Sequence, residues 1–159
     1  MIFRNHRHSV LFVCTANQCR SPMAEALFQH LLEEKKDETV KWKVESAGCW
    51  AYPELPATEK ALQTVNEMGC SLIHSSKLVT EKLLRKFNLI LCMESDHKQY
   101  IQQHFSFAAN KTFLLSEMIN KKDEIDDPVG KSLEEYQITA DKINSILQNG
   151  FVKIKELSA

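Results

Sequence analysis

A cysteine and an arginine six positions apart are the most distinctive pair of reactive side chains in this sequence. Cys14 ends the apolar run SVLFVC, and Arg20 follows the short polar segment TANQC. A cysteine thiolate is a nucleophile, and a guanidinium is a planar fork of donors that can hold two oxygens of a phosphate group. The pair therefore predicts chemistry on a bound oxyanion, with Cys14 as the nucleophile and Arg20 as the clamp.

The segment between these two residues fits a loop that leads from a strand into a helix. Ser21 can cap a helix, and Pro22 suits its first position. Backbone N–H groups in such a loop, together with the positive end of the helix, bind a tetrahedral anion and stabilise a nearby thiolate. The Ser21 hydroxyl can also donate to the sulfur. The predicted phosphate-binding loop contains Thr15, Ala16, Asn17, Gln18, Cys19 and Ser21.

An attack on a phosphomonoester needs an acid that protonates the leaving oxygen. The sequence IDDP supplies two candidates, Asp126 and Asp127, in a segment before the last helix-like stripe. Because proline restricts the preceding residue to extended backbone, Pro128 would fix the direction of the Asp127 carboxylate.

Strand-like and helix-like segments alternate along the chain and must position these residues. The strand-like segments are SVLFVC, VKWKVESAG, NLILCM and KTFLLS. Segments of helical periodicity follow them, with Gly69 and Thr80 as a stop and a cap and with Gly150 interrupting the last stripe. We predict an α/β fold of three layers, a parallel sheet flanked by helices on both faces. Cys14 then lies at the carboxyl edge, where such sheets bind ligands.

Composition limits the classes of function. The chain has 159 residues, 43% of them apolar, and a formal net charge of −1. These values suit a single domain, predicted over residues 9–159 after a flexible tail of residues 1–8. No broad basic face for nucleic acid is expected, and the apolar runs are too short to cross a membrane. The oligomeric state is not predicted.

The cysteine pattern indicates reduced thiols. Five cysteines include no CxxC pair and no histidine at a zinc-ligand spacing, so we expect neither a disulfide framework nor a metal site. No apolar signal segment precedes position 10. Together these features predict a cytoplasmic protein.

The segment VLFVCTANQCRSPMAEA resembles the signature of the low-molecular-weight protein tyrosine phosphatases. The likeness continues through ESAG, LILCM and DDPVGKSLEEY and covers about residues 9–155. It is closest to the bacterial branch that includes protein arginine phosphatases, in HSSKLVTEKLL, SDHKQYI and the short loop after SAG. The resemblance implies a four-stranded, flavodoxin-like parallel sheet (phosphotyrosine protein phosphatase I-like), no metal or other cofactor, a phosphocysteine intermediate and a phosphorylated protein substrate.

The resemblance also implies individual roles. The aspartate directly before proline, Asp127, matches the general acid of the family. Asn17 matches a loop asparagine with left-handed backbone, and His74 matches a histidine that holds the loop through Asn17 and Ser21. Cys19 matches a residue that forms a reversible disulfide with the nucleophile, and simple packing of Cys19 is equally open.

The three remaining thiols, Cys49, Cys70 and Cys92, are expected to pack in the core.

Three positions depart from the family pattern. Ala16 replaces a usual glycine and requires negative φ. Gln18, whose side chain lines the pocket in the family, is neither the aliphatic residue of the tyrosine phosphatases nor the threonine of the arginine phosphatases. Val129 stands where an aromatic residue often flanks the substrate, and Trp50 and Tyr52 could form the opposite wall. The main prediction is a tyrosine phosphatase, and the alternative is an arginine phosphatase of the same fold.

Two other classes of function are less favoured. An arsenate reductase needs a relay of further cysteines, and SDHKQY supplies none after Cys92. A redox-sensing, anion-binding module would use Cys14 and Cys19 alone, and it would need neither Arg20 nor Asp127.

Overall fold

The computed structural model describes residues 6–159 and contains one sheet of four parallel strands, as the sequence predicts. The order of the strands across the sheet is β2-β1-β3-β4. Their bounds are His6–Cys14 for β1, Val40–Gly48 for β2, Leu89–Cys92 for β3 and Thr112–Leu114 for β4.

Within the described part of the chain, six α-helices connect and cover these strands. They are α1 (Arg20–Lys35), α2 (Glu59–Glu67), α3 (Glu81–Leu84), α4 (Ser95–His104), α5 (Leu133–Asn149) and α6 (Phe151–Leu157). Two short 3₁₀ helices, Ser106–Lys111 and Leu115–Ile119, flank β4. None of the helices within residues 6–159 is long and apolar enough to span a bilayer.

The register of the sheet brings the carboxyl ends of three strands together. Cys14 of β1 lies opposite Gly48 of β2, and Val13 lies opposite Cys92 of β3. Loops that leave these three strands therefore start at one edge, where ligands bind in parallel α/β sheets.

Each face of the sheet is covered by its own apolar cluster. Phe12 of β1 packs with Phe28 and Tyr136 on one face, and Leu11 packs with Leu84 and Phe87 on the other. Because both faces are covered, β1 is a continuous apolar run from Val10 to Cys14 rather than an alternating one.

The first strand begins earlier than its apolar run. Residues 6–8 pair with residues 40–42, so they belong to β1 and the predicted flexible tail of residues 1–8 was wrong for them. The polar sequence of this segment gives no strand signal, because the pairing is made by backbone groups. Residues 1–5 of the predicted tail lie outside the described residues.

The start of α1 also differs from the prediction. Cys19 is the N-cap residue and makes no side-chain capping bond, whereas Ser21 was predicted to cap. Ser21 lies inside the first turn, where its hydroxyl is available to the loop. Thr80 caps α3 as predicted, and Gly150 separates α5 from α6.

One of the two tryptophans lies on the sheet. Trp42 of β2 is partly buried and packs against Phe28 at 5.2 Å and Phe151 at 6.2 Å between ring centroids. It belongs to the cluster that α1, α5 and α6 cover.

Candidate active site

The loop between β1 and α1 leaves a row of backbone donors available. Among residues 6–159, no backbone or side-chain acceptor pairs with the N–H groups of residues 15–20. These groups precede and enter the first turn of a 16-residue helix. Unpaired amides at a helix N-terminus form the kind of site that binds a phosphate.

Cys14 lies at the base of this loop. Its side chain is buried, and Sγ is 2.9 Å from the Ser21 hydroxyl oxygen. The Asn17 amide donates to the same oxygen at 2.9 Å, so the Ser21 proton remains to be donated. The Ser21 hydroxyl oxygen lies 2.9 Å from the Cys14 sulfur and 3.3 Å from the Ala47 carbonyl oxygen, so the sulfur is the nearer of the two acceptors. Ser21 is therefore placed to stabilise a thiolate.

Asn17 holds the shape of the loop. Its φ is 56°, in the left-handed region that asparagine tolerates better than most residues. Its amide also donates to Ser46 at 2.9 Å, and its side-chain oxygen accepts from the Lys77 backbone at 3.0 Å. Ala16 is not among the residues with positive φ within 6–159, so its methyl group is tolerated.

His74 supports the loop from outside. Its Nε2 donates to the Asn17 carbonyl at 2.6 Å, while Ser21 is held by the Asn17 amide rather than by His74. Burial lowers the pKa of His74. Glu25 Oε2 lies 4.0 Å from the other ring nitrogen, and burial raises the pKa of Glu25 to about 7. The two side chains thus both favour their neutral forms.

Arg20 is buried, with 1% of its side chain exposed, and its guanidinium is held on several sides. One terminal nitrogen donates to Glu94 at 2.5 Å and to the Ile125 carbonyl at 2.7 Å. The other donates to the Thr15 hydroxyl at 3.2 Å and lies 3.3 Å from Asp127. These contacts fix the position of Arg20 beside the loop.

The two candidate acids occupy different positions. Asp127 Oδ2 is the carboxylate oxygen that lies next to Arg20, and its other oxygen accepts from the Val129 backbone at 3.1 Å. Asp126 is exposed and makes no such contact. The structure therefore brings Asp127, rather than Asp126, to the loop.

Sequence reasoning missed two residues at this edge of the sheet. Glu94 and His97 follow β3, and Glu94 contacts Arg20 while His97 contacts Thr15 at 2.8 Å. The available signal was their position just after the predicted strand NLILCM, because the carboxyl ends of parallel strands meet at one edge of the sheet.

Gly48 is required by the close approach of this loop. A Cβ atom at Gly48 would lie 2.5 Å from the Thr15 carbonyl and 2.9 Å from the Asn17 nitrogen. These distances are shorter than real contacts, so only glycine lets β2 end against the loop.

The predicted walls of the site are exposed. Trp50, with 50% of its surface accessible, packs against His97 and Tyr100, and its backbone N–H donates to the Thr15 carbonyl at 3.0 Å. Tyr52 is 80% exposed and Val129 57% exposed. The Gln18 amide donates to the Pro56 carbonyl at 3.0 Å, which ties the loop to the segment that carries Trp50 and Tyr52.

All five cysteines lie within residues 6–159, and none of them forms a disulfide there. Cys19 Sγ contacts the Tyr136 hydroxyl at 3.2 Å and the Thr58 hydroxyl at 3.5 Å. Burial raises the pKa of Cys19, Cys70 and Cys92, and it raises the pKa of Cys49 to about 12. These four thiols therefore favour the uncharged form.

A four-stranded parallel sheet with a Cys-x₅-Arg loop at its carboxyl edge defines a class of phosphate-binding α/β proteins, and comparisons with known proteins define the family. The model of the low molecular weight phosphotyrosine protein phosphatases matches residues 9–158. A protein-arginine-phosphatase of Bacillus subtilis (strain 168) is 36% identical over 148 residues, which cover 92% of this chain and 97% of that protein.

Two further relatives bear the tyrosine phosphatase name. The low molecular weight protein-tyrosine-phosphatase Etp of Escherichia coli (strain K12) is 34% identical, over 82% of this chain and 83% of that protein. The solved structure of a low molecular weight protein tyrosine phosphatase from T. tengcongensis has a TM-score of 0.86 and 32% identity, covering 92% of this chain and 99% of that chain. The chain therefore belongs to the low molecular weight phosphotyrosine protein phosphatase family and is a phosphoric monoester hydrolase.

Proposed function

We propose that this protein removes phosphate from tyrosine residues of proteins, with Cys14 as the nucleophile, Arg20 as the phosphate clamp and Asp127 as the general acid and base. The observation that carries the proposal is the meeting of three groups at one edge of the sheet. Arg20, which lies 3.3 Å from Asp127, begins the helix whose first turn holds the Cys14 sulfur through Ser21.

In the first step, the Cys14 thiolate attacks phosphorus. A sulfur–phosphorus bond forms, the bond from phosphorus to the tyrosine oxygen breaks, and Asp127 gives its proton to that oxygen. A positioned acid of this kind contributes a factor of about 10²–10⁴ in rate.

In the second step, water hydrolyses the phosphocysteine. Asp127, now ionised, takes a proton from water while the water oxygen bonds to phosphorus and the sulfur–phosphorus bond breaks. Inorganic phosphate leaves, and Cys14 returns as a thiolate that Ser21 stabilises.

Arg20 and the free loop amides act through both steps. Phosphoryl transfer depends chiefly on positioning and on stabilising charge on the equatorial oxygens. The unpaired N–H groups of residues 15–20 and the fixed guanidinium supply donors of that kind.

Two observations favour a second substrate class, phosphoarginine. The protein-arginine-phosphatase of Bacillus subtilis is 36% identical to this chain, and Val129 offers no aromatic wall on one side of the site. Trp50 and Tyr52, exposed on the other side, support the phosphotyrosine assignment.

Five free thiols support a cytoplasmic location.

Hydrolysis of p-nitrophenyl phosphate tests the catalytic assignment. Cys14→Ser should abolish turnover, and Asp127→Ala should lower kcat at least about 100-fold. Asp126→Ala is the matched control and should keep activity within about threefold, because the Asp126 side chain is exposed and only neighbours Asp127 in the chain. Full activity of the Asp127 variant would remove that residue from the mechanism.

Paired peptides test the substrate class. Two peptides of the same sequence, one with phosphotyrosine and one with phosphoarginine, are compared by kcat/KM. The proposal expects the phosphotyrosine peptide to be preferred, and a tenfold or greater preference for phosphoarginine would replace it with the alternative.

A further inference from the structure

The guanidinium of Arg20 is part of a closed ring of hydrogen bonds. One terminal nitrogen donates to Glu94 at 2.5 Å, and the other donates to the Thr15 hydroxyl at 3.2 Å. His97 joins these two partners, since it contacts Thr15 through Nε2 at 2.8 Å and the Glu94 backbone through Nδ1 at 3.1 Å. The ring therefore runs Arg20, Glu94, His97, Thr15 and back to Arg20.

The contacts of His97 define its tautomer. Because Nδ1 accepts the Glu94 backbone N–H, the proton of the neutral ring is on Nε2, which then donates to Thr15. The side chain is fully buried. Burial and the nearby Arg20 charge lower the pKa of His97 to about 4, so the neutral ring persists at physiological pH.

Glu94 and His97 also fix each other at the start of α4. The Glu94 side chain accepts the backbone N–H of His97, and the His97 side chain accepts that of Glu94, which makes a reciprocal cap. The rigid end of α4 thus presents both the Glu94 carboxylate and the His97 N–H toward the loop.

Thr15 accepts two hydrogen bonds within the ring. Its hydroxyl oxygen receives one from His97 and one from Arg20, so its orientation depends on both. Thr15 follows the nucleophile directly in the chain, and the ring therefore couples the loop backbone next to Cys14 to the direction of the guanidinium.

We propose that His97 is a positioning residue of this phosphatase, which acts through Thr15 to aim Arg20 at the bound phosphate. The proposal rests on the proposed function, and it assigns a role to a side chain whose hydrogen bonds go to Thr15 and Glu94 rather than to the reacting sulfur. The bond from His97 to Thr15 is the link that this role requires.

Two replacements of His97 separate this link from the helix cap. His97→Asn retains an acceptor near Nδ1 for the Glu94 backbone and loses the donor to Thr15. His97→Gln retains a donor near Nε2. We expect kcat/KM to fall about tenfold in His97→Asn and to stay within about threefold in His97→Gln, the order expected for one hydrogen bond.

A double-mutant cycle with Thr15 tests the coupling. Thr15→Val removes the shared hydroxyl with little change in shape and should also lose about tenfold. The combined Thr15→Val and His97→Asn variant should lose no more than Thr15→Val alone, because both changes break one link. The inhibition constant of inorganic phosphate should rise in the same variants, since their Arg20 guanidinium is no longer well oriented to bind a phosphate.

Several outcomes would overturn the proposal. Unchanged kcat/KM in His97→Asn, equal losses in the Asn and Gln variants, or a roughly hundredfold loss in the double variant would each show that His97 does not act through Thr15. A ¹⁵N spectrum that places the His97 proton on Nδ1 would do the same without any activity measurement. Cys14→Ser remains the separate test of the phosphatase assignment, so the two failures are distinguishable.

Discussion

Glu25 illustrates how a single side chain beneath the loop couples ionisation to folding. Burial raises its pKa from 4.5 to about 7, with Lys77 opposing the shift and Glu45 adding to it. The folded state therefore favours the protonated form. The resulting stability is fully present below pH 4.5 and is lost as the pH rises through 7.

Replacement of Glu25 by glutamine should remove this pH dependence. From pH 5 to pH 8, we expect the free energy of unfolding of Glu25→Gln to rise by about 2 kcal/mol relative to the wild type, measured by urea denaturation. Glu33→Gln, at an exposed position of the same helix, is the matched control. A difference that stays constant or falls with pH would contradict the assignment.

The site residues that could be predicted from the sequence are those that a short local pattern identifies. Cys14 and Arg20 share one loop, and Asp127 precedes a proline. Glu94 and His97 could not be found in this way, because the pairing of β3 with β1 brings them to Arg20. No local pattern specifies which strands are neighbours.

At the scale of elements, β2 and the loop must meet without a side chain between them. Gly48→Ala would push a methyl group into the Thr15 carbonyl and the Asn17 nitrogen. Because a displacement of about 1 Å in a catalytic site can cost about 100-fold, we expect kcat/KM for p-nitrophenyl phosphate to fall by at least that factor.

Gly69→Ala is the control for this substitution. Gly69 has a φ of +82° and open space around its Cβ position, so alanine there strains the backbone without reaching the loop. Its expected cost is about 1 kcal/mol in stability with unchanged activity. Equal activity losses in the two variants would assign the effect of Gly48 to stability alone.

The elements themselves were predicted well where side-chain pattern and backbone pairing agree. The segment VKWKVESAG forms β2 over its whole length. The prediction was wrong where they disagree, as for residues 6–8, whose polar side chains give no strand signal. It was also wrong at Ser21, because the loop uses that hydroxyl beside Cys14 instead of at the helix end.

At the scale of the whole molecule, the five thiols should differ sharply in reactivity. Burial raises the pKa of Cys19, Cys49, Cys70 and Cys92. Cys14, in contrast, lies at the base of the loop whose backbone amides are unpaired, beside Arg20. At roughly pH 7.5, iodoacetamide should therefore alkylate Cys14 at least about tenfold faster than the other four cysteines of the native protein.

Mass spectrometry of digested protein measures this selectivity, and inorganic phosphate should slow the reaction of Cys14 by occupying the loop. Alkylation of another cysteine at a comparable rate in folded protein would contradict the prediction, as would a rate at Cys14 that phosphate leaves unchanged.

The placement of the two tryptophans provides a built-in optical readout. Trp50 is half exposed and bonded through its backbone to the loop, whereas Trp42 packs among phenylalanine rings on the far part of the sheet. Emission from an indole shifts to longer wavelength as water reaches it, so the red side of the spectrum reports events at the catalytic edge and the blue side reports loss of the core. Titration with phosphate and unfolding by urea would thus change different wavelength ranges of the same emission spectrum.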